Sequence, residues 1–349
     1  AYTDDAQKVR AYYIFSGKAL GRNNRQLVEL ICETLNDVRF DEENRIAELV
    51  TQIRSRRERS VTGSGHILAM KAAASGLSPV ASLSHKFGGL AAIKSLKALD
   101  DLHNSDKTAI KNTARVFSSI HEKIKAAAKT YMLTVEEDKV EQTVEEFEEV
   151  WQSADYESSK PFSLPAINQP SRQMWVANTQ VNFCAKAYPT VTMEHEDAAA
   201  LSVLGGFMRN GYLHTVVREQ GGAYGGGATH DANIAAFKFY SYRDPRLAAT
   251  LEDFDRAIDW VLDNDHEYRQ LEEAILGVIS SMDKPGSPAG EARSAFHNEL
   301  HGRTRDKLQQ LRQRVLQVTI DDLKRVTRTY LKEGEASVAV ITSAATRDE

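Results

Sequence analysis

The residues best suited to chemistry lie in one run, residues 216–228, where Arg218 and Tyr224 stand six positions apart around a cluster of glycines. Five of the chain's twenty glycines (Gly221, Gly222, Gly225, Gly226 and Gly227) fall within seven residues there. Glycines this dense mark a backbone that turns through positive φ or lies close against a neighbour. Arginine offers a planar fork of donors for carbonyl or carboxylate oxygens, and tyrosine adds a hydroxyl donor. Two such donors framing an accessible backbone suit an oxygen-rich guest, such as an extended peptide. Phosphate binding fits poorly. Neither Gly-x-Gly-x-x-Gly nor Gly-x4-Gly-Lys-Ser/Thr can be drawn through residues 221–227. Phosphate loops also run from a strand into a helix, whereas this one leaves a helix for a strand.

The other candidates carry less. His297 and His301 are four apart and share a helix face, so together they could hold a metal. The glutamate between them, Glu299, sits two positions on, about 200° around the helix, and points away from the pair. The zinc-peptidase patterns His-Glu-x-x-His and His-x-x-Glu-His are therefore absent, and surface histidines are the plainer reading. His195 and His266 are flanked by acidic residues, and His66 has no histidine or glutamate at ligand spacing. There is no Gly-x-Ser-x-Gly elbow, and neither cysteine falls in a catalytic signature. The metal-ligand set of this chain is read as none, and the chain as lacking a catalytic centre of its own.

Length and composition bound the class. The chain has 349 residues, 42% hydrophobic and 27% charged, enough for one large or two medium domains. A net charge of −5 argues against a dedicated nucleic-acid binder. No apolar run approaches a membrane span. Cys32 and Cys184 form no Cys-x-x-Cys pair, which leaves a disulfide framework unsupported and favours a reducing compartment, bacterial cytoplasm or organelle matrix. Ala1 in place of an initiator methionine, close to strand-like sequence, suggests a piece of a longer protein, with no signal or transit peptide in view.

The elements that position the loop are read from periodicity. Residues 8–17, aromatic and β-branched, predict a first strand, and residues 131–135 a strand closing a first module. Between them lie helices: one carries Leu27, Ile31 and Leu35, a second Ile46, Leu49, Val50 and Ile53, and residues 66–127 are mostly helical. Val140, Val144, Phe147 and Trp151 mark a last helix with an acidic outer face. Residues 158–171 hold three of the eight prolines and read as a linker. After it come a strand within residues 173–186, a helix from Glu194 towards the glycine run, a strand over 236–242, a helix with Leu251, Phe254, Ile258 and Val261, and a final strand over 337–342. The expectation is an α+β fold of two similar units, residues 1–157 and 172–349 joined by 158–171, each a mostly antiparallel sheet covered by helices.

The run VREQGGAYG at 217–225 resembles the Arg-x5-Tyr loop in the C-terminal half of the M16 zinc metallopeptidases, the pitrilysin, insulysin and presequence-protease enzymes. GSGHILAM at 63–70, followed by Leu77, Ser78 and Pro79, resembles the presequence-protease branch. The resemblance implies two tandem M16-type domains, the second carrying the loop, and zinc held by an N-terminal half that this chain lacks. It also implies that Arg218 holds a backbone carbonyl of a bound peptide and that Tyr224 donates to the scissile carbonyl as it becomes an oxyanion. Gly221, Gly222 and Ala223 would let the loop approach the peptide backbone. The implied partners are the N-terminal catalytic half and unstructured peptides, with neither nucleic acid nor membrane. The implied activity is that of a metalloendopeptidase working as a closed chamber, with this chain inactive alone. A non-catalytic M16-like structural or peptide-binding subunit is the alternative. From the residues alone a third reading stands, in which Arg218 pairs with a carboxylate and Tyr224 simply packs.

Overall fold

A computed structural model describes residues 1–151 and 162–346. One five-stranded sheet organises it: β1 (Arg172–Val176), β2 (Phe183–Pro189), β3 (Gly225–Asp231), β4 (Ala236–Tyr242) and β5 (Ser337–Thr342), in the order β1-β5-β2-β4-β3. Only β1 and β5 run parallel; the other three pairings are antiparallel. The central strand, β2, is buried on both faces, and its run of Phe183, Cys184, Ala185 and Ala187 suits that place. β4 alternates as its sequence demands. Phe237 and Phe239 point into one helical layer, and Tyr240 and Tyr242 point towards the other.

Helices cover both faces of the sheet. On one side lies α2 (Glu43–Ala74), whose Leu68, Ala69, Ala72 and Ala73 pack on Phe183, Ala185, Ala339 and Ile341, with α3 (Pro79–Gly88) and α4 (Leu90–Ser105) behind it. Small side chains along that face bring helix and sheet close together. On the other side α7 (Ala198–Met208), α8 (Ala248–Asp263), α9 (Tyr268–Met282), α11 (Arg305–Leu316) and α12 (Ile320–Val326) enclose Phe207, Phe254, Leu271 and Leu323 against Phe237, Phe239 and Val340. The fold is thus mixed α/β, a sheet between two helical layers. At the periphery α1 (Asn24–Asn36) meets α6 (Val140–Val150), joined by an Arg25–Glu149 ion pair of 2.7 Å. The remaining α-helices among the described residues are α5 (Lys107–Ala126) and α10 (Pro288–Leu300).

Two expected strands do not form. Residues 8–17 and 131–135 make no strand, and Tyr13, Ile14, Met132 and Leu133 are exposed. β-branched and aromatic composition favours extended backbone, but a strand also needs a neighbour to pair with, and neither segment pairs with another strand among the described residues. All five strands therefore come from residues after 171, and the earlier residues contribute helices. The single strand expected within 173–186 is two, β1 and β2, separated by residues 177–182. Of the expected linker, residues 158–161 lie outside the described residues. The remainder lies along the N-terminal helices, where Gln169 N–H donates to Gly76 O at 2.7 Å and Ile167 N–H to Gln7 Oε1 at 2.8 Å.

Candidate functional site

The helix entering the glycine run changes pitch on the way. α7 passes at Met208 into a π-helical stretch, Arg209–Gln220, a wider turn found mostly in short pieces and often at functional sites. Val217 is buried in the core and anchors its last turn, which leaves Arg218 beside it facing solvent. The stretch ends on Gly222 at φ +79°, the left-handed conformation that glycine adopts without a Cβ penalty. Gly222 N–H donates to Arg218 O at 3.0 Å and Ala223 N–H to Val217 O at 3.2 Å. These bonds close the turn and swing the chain into β3.

The loop rests on a charged platform from the next connection. A Cβ on Gly221 would lie 1.9 Å from Arg246 Nη2 and 2.6 Å from Val217 O, so only glycine admits the guanidinium at that point. Arg246 is held in turn: Nη2 donates to Asp253 Oδ2 at 2.9 Å and to Val216 O at 3.4 Å. Asp253 is fully buried and also paired with Arg256. Asp244, equally buried, accepts from Arg246 N–H at 2.9 Å and from Thr250 Oγ1 at 2.7 Å. Desolvation pushes its carboxyl above the usual range, and these hydrogen bonds oppose the shift.

Arg218 and Tyr224 both come to the surface of this loop. Arg218 Nη1 lies 3.3 Å from His214 Nε2, and His214 Nδ1 lies 3.4 Å from Glu219 Oε1. Among the described residues no carboxylate forms an ion pair with Arg218 itself. His214 and Glu219 are five apart, about 140° around an α-helix, and it is the wider π turn that lets them meet. Tyr224 is 68% exposed and sets its ring edge-on to Tyr242, with centroids 5.6 Å apart. Gly222 is exposed, whereas Gly221 and Ala223 are buried against the core. The following strand, β3, ends the sheet, so its outer edge has no strand partner among the described residues. An open edge of this kind can take an extended peptide by main-chain pairing.

Of the other candidate histidines, His301 lies away from the loop and His66 lies behind it. His301 follows α10 with Nδ1 2.8 Å from His297 O, and its ring meets Tyr12. His66, on α2, lies against Tyr242 with centroids 4.6 Å apart, and its Nδ1 is buried without a hydrogen-bond partner. Burial holds its imidazole below the usual range. Among the described residues no three His, Cys, Asp or Glu side chains are grouped to hold a metal. His214, Arg246 and Tyr242 all escape a sequence reading. Arg246 and Tyr242 reach the loop only through the folded sheet, and the His214 contact depends on a pitch that the sequence does not announce.

Comparison with known proteins bears on the whole chain. A family model described as peptidase M16 (subfamily C) associated matches residues 1–99, and one described as PreP C-terminal domain matches residues 172–344. Together they cover more than half of the chain. The chain is 29% identical over 333 residues to the mitochondrial presequence protease of Yarrowia lipolytica, covering 91% of this chain and 32% of that protein. It is 31% identical over 335 residues to that of Emericella nidulans, covering 92% and 31%. It thus spans about a third of the length of these relatives. Its fold is similar to a peptidase M16 inactive domain from Pseudomonas fluorescens, with a TM-score of 0.61, 13% identity, and coverage of 93% of this chain and 76% of that one. The chain belongs to the M16 peptidase family, as a C-terminal part of the presequence-protease branch.

Proposed function

We propose that this chain is the zinc-less C-terminal part of a metalloendopeptidase that degrades unstructured peptides inside a closed chamber, and that it is inactive alone. The observation carrying this reading is an exposed guanidinium and an exposed phenol on one braced glycine loop beside an open sheet edge. Arg218 would bind a backbone carbonyl of the peptide and fix its register. Tyr224 would donate its hydroxyl proton in a hydrogen bond to the scissile carbonyl oxygen as negative charge develops there. One such donor is typically worth about 10²–10³ in rate. The glycine run, with Gly222 at its surface, would let the peptide main chain approach. Zinc would be held by the rest of the polypeptide.

The partners on this reading are that catalytic part and the peptide substrate. Among the described residues no helix is long and apolar enough to cross a membrane. The mitochondrial names of the relatives, with two free cysteines here, favour a reducing organelle matrix. We also propose that residues 1–157 and 172–349 are two units joined by 158–171, in keeping with the two separate family matches. Because α2 lies on the sheet, these units share a core, and cutting between them would not release two folded pieces.

The test is hydrolysis of a quenched fluorescent peptide by this chain, by the intact polypeptide, and by the intact polypeptide carrying Tyr224→Phe. The expected result is a silent chain, an active intact enzyme, and a large loss of kcat with little change in KM for the variant. Hydrolysis by the chain alone would overturn the reading. A silent intact polypeptide would transfer support to a non-catalytic peptide-binding subunit.

A further inference from the structure

Tyr224 lies between Ala223 and Gly225, two residues after Gly222, so its own backbone does little to hold its side chain. Its ring is instead set against Tyr242 at 5.6 Å and 88°, where the positive edge of one ring meets the negative face of the other. Tyr242 closes β4 and pairs in register with Gly225, the residue after Tyr224. The next peptide adds a second tie, because Tyr224 N–H donates to Arg243 O at 3.4 Å.

Tyr242 is gripped from several sides. Phe183 lies beneath it with centroids 5.9 Å apart, His66 lies against it at 4.6 Å, and the Arg243 guanidinium sits over the ring at 5.4 Å. Arg243 holds this position at φ +50°, a conformation that a non-glycine residue adopts at a cost. The Tyr242 hydroxyl donates to Gly63 O at 3.3 Å. Gly63 lies where α2 bends, since Ser64 has the non-helical angles φ −133° and ψ 23°. A break of this kind loosens the helical ladder and leaves carbonyls for outside donors.

We infer that Tyr242 is a positioning residue for Tyr224, clamped by the bend of α2 through Gly63 and His66. The inference rests on the role proposed above for Tyr224. An exposed tyrosine without such a brace would sample several rotamers, and a donor out of place contributes little to a transition state. Tyr242 touches neither substrate nor reacting atoms on this account; it sets the direction from which the Tyr224 hydroxyl arrives. The GSGHILAM run thereby acquires a purpose without any ligand role for His66.

The test has two arms. In the intact polypeptide, kcat and KM are measured for Tyr242→Leu and Tyr242→Phe, each alone and combined with Tyr224→Phe. In this chain, fluorotyrosine incorporation gives a Tyr224 resonance, assigned by its loss in Tyr224→Phe. Tyr242→Leu is expected to lower kcat about tenfold with KM within about twofold, and Tyr242→Phe, which keeps the ring, to recover most of the loss. Tyr242→Leu should add almost nothing to Tyr224→Phe, as coupled residues do. The Tyr224 resonance should move towards that of free tyrosine in Tyr242→Leu and move much less in Tyr242→Phe, which keeps the ring and loses only the bond to Gly63 O. An unmoved resonance in folded Tyr242→Leu, or losses that multiply in the double variant, would overturn the inference. If Tyr224→Phe itself leaves kcat unchanged, the role proposed for Tyr224 falls, and the resonance alone then decides whether Tyr242 positions the ring.

Discussion

Replacing Gly221 by alanine tests whether the loop depends on its charged platform. The new methyl would sit 1.9 Å from Arg246 Nη2, 2.4 Å from Cζ and 2.6 Å from Val217 O. The first two contacts could be relieved only by moving the guanidinium away from Val216 O and Asp253. Stripping a partner from a buried carboxylate costs about 3–5 kcal/mol when nothing replaces it. Arg256 still holds Asp253, so the loss falls well below that range. The contact with Val217 O is with backbone and cannot be relieved by a rotamer; overpacking of this kind costs about 1–3 kcal/mol. The sum is about 2–4 kcal/mol, and at about 2–4 °C per kcal/mol the melting temperature should fall by roughly 4–16 °C. Gly225→Ala is the control, because a Cβ there meets nothing within 4 Å. Gly222→Ala should fall between them, since a left-handed alanine costs about 1–2 kcal/mol. Thermal unfolding by circular dichroism of the three variants reads the order directly. A Gly221→Ala chain that melts with the wild type, or below which Gly225→Ala melts, refutes the reasoning.

Two further outcomes follow from other parts of the molecule. Arg218→Ala in the intact polypeptide should raise KM by about tenfold or more, with a smaller effect on kcat, because a charged hydrogen bond to a carbonyl is worth about 1.5–3 kcal/mol; steady-state kinetics on one peptide checks it, and an unchanged KM removes Arg218 from substrate binding. His230 has both ring nitrogens enclosed, by Val191 O at 3.2 Å and Ser202 Oγ at 3.4 Å, and burial lowers its pKa to about 4. The neutral imidazole is thus the folded form, and its contribution is complete above the free value and lost as pH falls towards 4. Up to about 3 kcal/mol should disappear across that window, and urea titrations at pH 7 and pH 4.5 should give a shallower acid loss for His230→Asn than for the wild type.

The loop was legible because its signal is local. Glycine density, an arginine and a tyrosine can be read from adjacent letters, and so can the helical stripes of α1 and α8. The misread segments fail for the opposite reason. Residues 8–17 and 131–135 have strand composition, but a strand is completed by a partner that composition does not name. β3 begins inside the glycine run, at Gly225, where no alternation of apolar side chains announces it. What braces the site lies across the fold from it: Arg246 under Gly221, and Tyr242 and the α2 bend behind Tyr224. Neither pairing leaves a spacing in the sequence, because each depends on how β4 and α2 meet.

Complementation tests the central claim most directly. The intact polypeptide is divided so that this chain and the remainder are purified separately, and hydrolysis of a quenched peptide is followed for each part and for their mixture. The account predicts silence from each part, activity from the mixture, and a mixture made with the Tyr224→Phe chain that binds the remainder equally well but turns over about 10²–10³ more slowly. Full activity in the remainder without this chain, or an equal rate with the Tyr224→Phe chain, would contradict it.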